Sequence, residues 1–198
     1  MELAAVLLLS VATVFIAWSG YQAAKWSGRQ AERYAQANTA RSLANRSSTI
    51  ASQERLQDLL NFNRWLETST QGDQQISALY ERRFRPEFVP AFKAWQAKDP
   101  VHNPRALASP LQERQYRLAA AEKADQLERV GDRRFEQARK ATENADNYVF
   151  GTVFFAAVLF FAGISMRFAW RPMRTTVLVL AACFLIYGGF KLAGLPTL

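Results

Sequence analysis

Cysteine and histidine are almost missing from this chain, and most metal and redox chemistry is missing with them. The 198 residues hold one cysteine, Cys183, and one histidine, His102. One cysteine closes no intrachain disulfide. A lone imidazole beside Asp99, without cysteines or clustered carboxylates, makes a poor metal or acid–base site, so His102 reads as a solvated loop residue. No glycine-rich phosphate loop occurs, and no HExxH, GxSxG or CxxC pattern. The expectation is a non-enzymatic protein with no catalytic residue, cofactor or metal. Proline is absent from Leu3 to Ser69 and again from Leu111 to Arg171, so neither stretch contains the residue that most strongly breaks a helix.

Charge is also absent from three places: residues 3–19, 149–166 and 175–190 carry no charged side chain. A bilayer imposes that segregation, because an ionised side chain at its centre costs roughly 3 kcal/mol or more. The first segment starts with Glu2 and no Lys or Arg, and it runs on helically through Trp18. It therefore reads as an uncleaved anchor (1–19) rather than a signal peptide, which wants a basic start and a small-residue cleavage site. Only Met166–Arg174 separates the second and third segments, so 149–166 and 175–190 form a transmembrane hairpin. Trp170 and Tyr187 suit its interfaces. Arg167, Arg171 and Arg174 in that short loop place it in the cytoplasm, and the domain between the first and second spans on the other side. Lys25, Arg29 and Arg33, taken alone, favour the reverse orientation.

The formal charge of +8 invites a nucleic-acid reading that the pattern opposes. Residues 20–148 contain 21 Lys or Arg against 16 Asp or Glu, interleaved throughout. There is no basic block and no aromatic RNA-binding signature. Nucleic acid is therefore not an expected partner. The lipid bilayer is, together with the chain itself or another membrane protein.

Within 20–148 the periodicity is helical. Tyr116, Ala120, Ala124, Leu127, Gly131, Phe135, Ala138, Ala145 and Val149 recur at spacings of three, four or seven, one continuous helix face. Ser109 as N-cap, Pro110 at the first helical position and Gln112 mark a start, which predicts one helix from Pro110 through the second span. An earlier long helix covers about 20–69. Its middle is polar, with Leu43 and Ile50 as the only large apolar residues between Asn38 and Arg55. Residues 71–109 form a cap: Gly72 and Asp73 reverse the chain, and two short amphipathic helices meet around Pro86. The predicted fold is all-α: three transmembrane helices, with a long antiparallel helical hairpin or bundle between the first and second (long helices about 20–69 and 110–148).

Two sets of residues stand out as candidate contacts. Gly20, Ala24 and Gly28 fall four apart, a small-residue row that admits a close neighbouring backbone, and Ala138 and Ala145 offer a matching thin surface. Placing Gly20 opposite Tyr148 puts Ala44 level with Ala124. Arg82, Arg83 and Arg85, beside aromatic residues, are suited to a carboxylate or phosphate through bidentate hydrogen bonds. The alternative is that they pair with Glu81, Glu87 and other carboxylates to fasten the cap. Glu122 with Asp125 fits ordinary charge patterning on a helix surface.

Several runs carry a resemblance: Ala17-Trp18-Ser19-Gly20-Tyr21-Gln22, Trp26-Ser27-Gly28, Arg83-Phe84-Arg85-Pro86-Glu87-Phe88, and Tyr148 through Gly163. In these the chain resembles a family of small bacterial inner-membrane proteins of unknown function. The likeness implies a bacterial inner-membrane location and carries no activity with it. The functional expectation is a membrane-anchored helical scaffold or assembly protein. A ligand-sensing ectodomain that signals through a separate membrane partner is the alternative.

Overall fold

The computed structural model describes residues 2–198. Among them the chain forms five α-helices, one single-turn 3-10 helix and no strand: α1 (Glu2–Thr70), α2 (Gln74–Glu81), α3 (Val89–Gln96), the 3-10 turn Pro110–Gln112, α4 (Ala119–Ser165) and α5 (Arg171–Ala193). The fold is all-α. α1, α4 and α5 are each long and apolar enough to cross a membrane, as a multi-pass membrane protein requires. α1 passes through its serine- and threonine-rich middle without a break.

The helices divide into two compact units. The first comprises the chain up to Ala37 together with Arg133–Leu198, and the second Asn38–Asp132. In the first unit the apolar parts of α1, α4 and α5 pack around Ala12, Phe155, Val158, Ala162 and Ala181. Phe161 stacks on Phe184 with ring centroids 5.8 Å apart. α5 approaches α4 closely at Gly188, where an added Cβ would lie 2.9 Å from a ring carbon of Phe155. After α5 the tail turns back and is tied down. Tyr148 Oη and Trp26 Nε1 both donate to the Pro196 carbonyl, at 3.2 and 3.0 Å. Gln22 bonds the Leu198 backbone in both directions. Tyr148 and Gln22 are fully buried, and a buried polar side chain is tolerable only when paired in this way.

In the second unit the end of α1 carries Phe62 and Trp65 into a cluster with Phe84, Phe88, Phe92 and Trp95. Most rings meet edge to face, such as Trp65 on Phe92 at 4.7 Å, the arrangement that aromatic quadrupoles favour. The chain reaches this cluster through a sharp reversal. Gly72 adopts φ +81°, open to glycine and strained for other residues. Asp73 then caps α2 by accepting from the Ile76 amide. Trp95 Nε1 donates to the Leu107 carbonyl at 2.7 Å, which holds the loop after α3.

In the middle of α1, from 37 to 51, and on α4 from 124 to 145, the buried positions are small. On α1 they are Ala37, Ala40, Ala44, Ser47 and Ala51; on α4, Ala124, Gly131, Ala138, Ala141 and Ala145. Spacings that alternate between three and four residues are those of a coiled-coil seam, and alanine lets the helix axes come close.

Two expectations need correction. The Ser109-Pro110 signal is real, since Ser109 accepts from the Leu111 amide, but it starts only the 3-10 turn, and α4 begins at Ala119 rather than Pro110. The intervening segment leaves the helical path because its side chains are held elsewhere. Glu113, buried, accepts from Lys98 Nζ through both carboxylate oxygens at 2.7 Å, and Tyr116 reaches Asp58. The second correction concerns Gly20, Ala24 and Gly28, which are exposed. A Cβ on Gly20 or Gly28 meets nothing within 4 Å. In this part of α1 the buried residues are Ser19, Gln22 and Ala23, one position off the predicted row. Ala138 and Ala145 do lie in the buried stripe.

Candidate functional site

Arg85, at the turn between α2 and α3, is the centre of the most developed polar cluster. Its guanidinium reaches Asp58 at 3.1 Å, Glu54 at 3.2 Å and Glu87 at 3.4 Å. α1 supplies Asp58 and Glu54 one turn apart on the face that continues into Phe62 and Trp65. Tyr116 Oη donates to the same Asp58 oxygen that Arg85 contacts, at 3.0 Å, while its ring packs on Phe88. The other carboxylate oxygen of Asp58 is buried without a hydrogen-bond partner. Burial raises the Asp58 pKa above the usual carboxylate value, against the Tyr116 hydrogen bond and the Arg85 charge, which lower it. Burial also raises the Tyr116 pKa, and the neighbouring Asp58 charge adds to the shift.

The three predicted arginines thus separate. Arg85 is committed to internal carboxylates, the arrangement that fastens the cap. Arg82 is exposed and turns its Nε onto the Ala78 carbonyl. Arg83 is exposed. Asp58 and Tyr116 carried no motif that would single them out. The available signal was an acidic residue on the same helix face as Phe62 and Trp65, where a charge needs a partner. His102 lies on an exposed loop with its ring nitrogen 3.0 Å from Asp99. Among the described residues, no group of three or more His, Cys, Asp or Glu is placed to hold a metal ion.

A second feature lies on the flank of the alanine stripe in the second unit. Leu43, Ile50 and Leu127 line a groove of about 310 Å³ with Arg46, Lys123 and Ser47, and no acidic side chain contributes to it. Leu43 and Ile50 are 46% and 41% exposed. The only two large apolar residues in the polar middle of α1 therefore point outward, while alanines fill the seam.

No protein-family model, curated protein or solved structure matches this chain.

Proposed function

We propose that this is a non-enzymatic, membrane-anchored scaffold that assembles with another membrane protein. The groove of Leu43, Ile50 and Leu127 carries the reading. Exposing two branched aliphatic side chains in the polar middle of α1 leaves apolar area in water, which a partner helix removes. Arg46 and Lys123 beside the groove favour a partner whose apolar stripe is flanked by Asp or Glu. A symmetric contact between two copies across this groove would set those cations against each other, which disfavours it. The bacterial inner membrane is the proposed location, on the resemblance of its sequence runs. Arg167, Arg171 and Arg174 support a cytoplasmic α4–α5 loop and an extracytoplasmic second unit.

A photoreactive residue at Leu43 in cells tests the proposal. The expected product is one discrete adduct with a different membrane protein, lost when Ile50→Asp is added. An adduct between two copies would replace the heteromeric reading with self-assembly. The absence of any adduct, in a chain that is folded and membrane-inserted, overturns the scaffold.

A further inference from the structure

The first unit contains a cavity of about 250 Å³ between α4 and α5, on the same end as the tied-down tail. Phe150, Phe154 and Tyr187 form its apolar walls, and Gly151 and Gly188 also line it. At one margin sit two polar groups, the Lys191 ammonium and the Asn147 amide, and the lining contains no acidic side chain. The sequence places this margin where the apolar segments stop: 149–166 begins and 175–190 ends at this level, and Phe154 on Tyr187, centroids 5.2 Å apart, pairs the two helices there. Leu195 also lines the cavity. That wall is held in place, since the next residue, Pro196, accepts hydrogen bonds from Tyr148 and Trp26.

We infer that this cavity is a binding site for one anionic phospholipid of the surrounding bilayer. An acyl chain lies against Phe150, Phe154 and Tyr187, where apolar area is otherwise unfilled. The phosphate sits at the margin and accepts hydrogen bonds from Lys191 Nζ and the Asn147 amide, with opposite charge favouring an anionic headgroup over a zwitterionic one. The chemistry is a division of labour common to ligand sites, with apolar walls for affinity and a few polar groups for orientation. Two fully buried polar side chains, Tyr148 and Gln22, are used to hold the segment that completes the site. This inference is independent of the partner groove, which lies in the other unit.

Native mass spectrometry of the full chain decides it, with the protein released from vesicles of equal parts phosphatidylglycerol and phosphatidylcholine. One retained phosphatidylglycerol per chain is expected, preferred about fivefold over phosphatidylcholine, in keeping with a single basic residue acting on an anionic headgroup. Lys191→Gln should erase the preference, Lys191→Arg should keep it, and Lys25→Gln, at an exposed position outside the cavity, should leave it unchanged. Phe154→Ala should loosen retention of both lipids. Equal retention of the two lipids by the native chain overturns the inference, as does a preference that survives Lys191→Gln.

Discussion

Six aromatic side chains hold one end of the second unit, whereas the buried row of α1 from Ala40 to Ala51 offers nothing larger than alanine and serine. The two regions are stabilised in different ways. Each large ring removed from water contributes on the order of 2 kcal/mol, and the cluster joins residues that are distant in sequence. An alanine contributes little apolar area; its gains are good helix propensity and a close approach of axes. The aromatic end should therefore be sensitive to truncation and the alanine stripe to enlargement. Phe92→Ala removes a fully buried ring that touches Trp65 and Phe84, and should destabilise the protein by about 3–5 kcal/mol. Thermal unfolding in detergent, followed by circular dichroism, measures this. A loss below about 1 kcal/mol, the ordinary value for an average site, would show that the cluster is not the anchor of the second unit.

The same contrast explains what the sequence made legible. Three uncharged runs, two proline-free stretches and the Gly72-Asp73 reversal pointed to the all-α fold, because each reflects a local constraint. α4 was harder to delimit. Ser109 and Pro110 form a valid local start, yet Glu113 and Tyr116 are drawn to Lys98 and Asp58, partners 15 and 58 residues away that no helix rule contains. The packed face of α1 at Gly20, Ala24 and Gly28 was misjudged for a related reason. In a polar, alanine-rich helix the large residues ordinarily mark the core, but here Leu43 and Ile50 lie outside and the buried row consists of residues that propensity alone would explain. Rotating a helix by one position exchanges Ala24 for Ala23, and composition hardly changes. The Arg82–Arg85 run was visible as a charge cluster, but its internal partners Asp58 and Glu54 lay on another helix.

Enlargement sharpens the comparison with a smaller effect. Ala44→Leu forces a branched side chain into the buried row and should cost about 1–3 kcal/mol through overpacking. Gly28→Ala, on the exposed side of the same helix, should instead stabilise it by about 0.5–1 kcal/mol, because a glycine in a helix interior is less favourable than alanine and the added Cβ meets no neighbour. Measured together, the pair reports which face of α1 is packed. Destabilisation by Gly28→Ala, or tolerance of Ala44→Leu, would reverse the assignment of faces.

The smallest effect is a dependence on pH that belongs to the aromatic end alone. Asp58 is the buried carboxylate whose pKa is raised there, with Arg85, Tyr116, Glu54 and Glu87 around it, whereas the alanine stripe buries no titratable side chain. The folded protein holds the Asp58 proton to a higher pH than the unfolded chain, whose carboxyl titrates near 3.8. Between 3.8 and the raised value, unfolding releases a proton, so the contribution of Asp58 to stability falls as pH rises through that window and is most favourable below it. Asp58→Asn removes the titration while keeping the shape. Unfolding free energies of the native chain and this variant, measured from pH 3.5 to 7, should therefore diverge as pH rises, with the native chain losing ground. A difference that stays flat would mean that the Arg85 and Tyr116 contacts offset burial completely. A difference of opposite slope would mean that they outweigh it, making Asp58 an ordinary stabilising ion pair within the aromatic cluster.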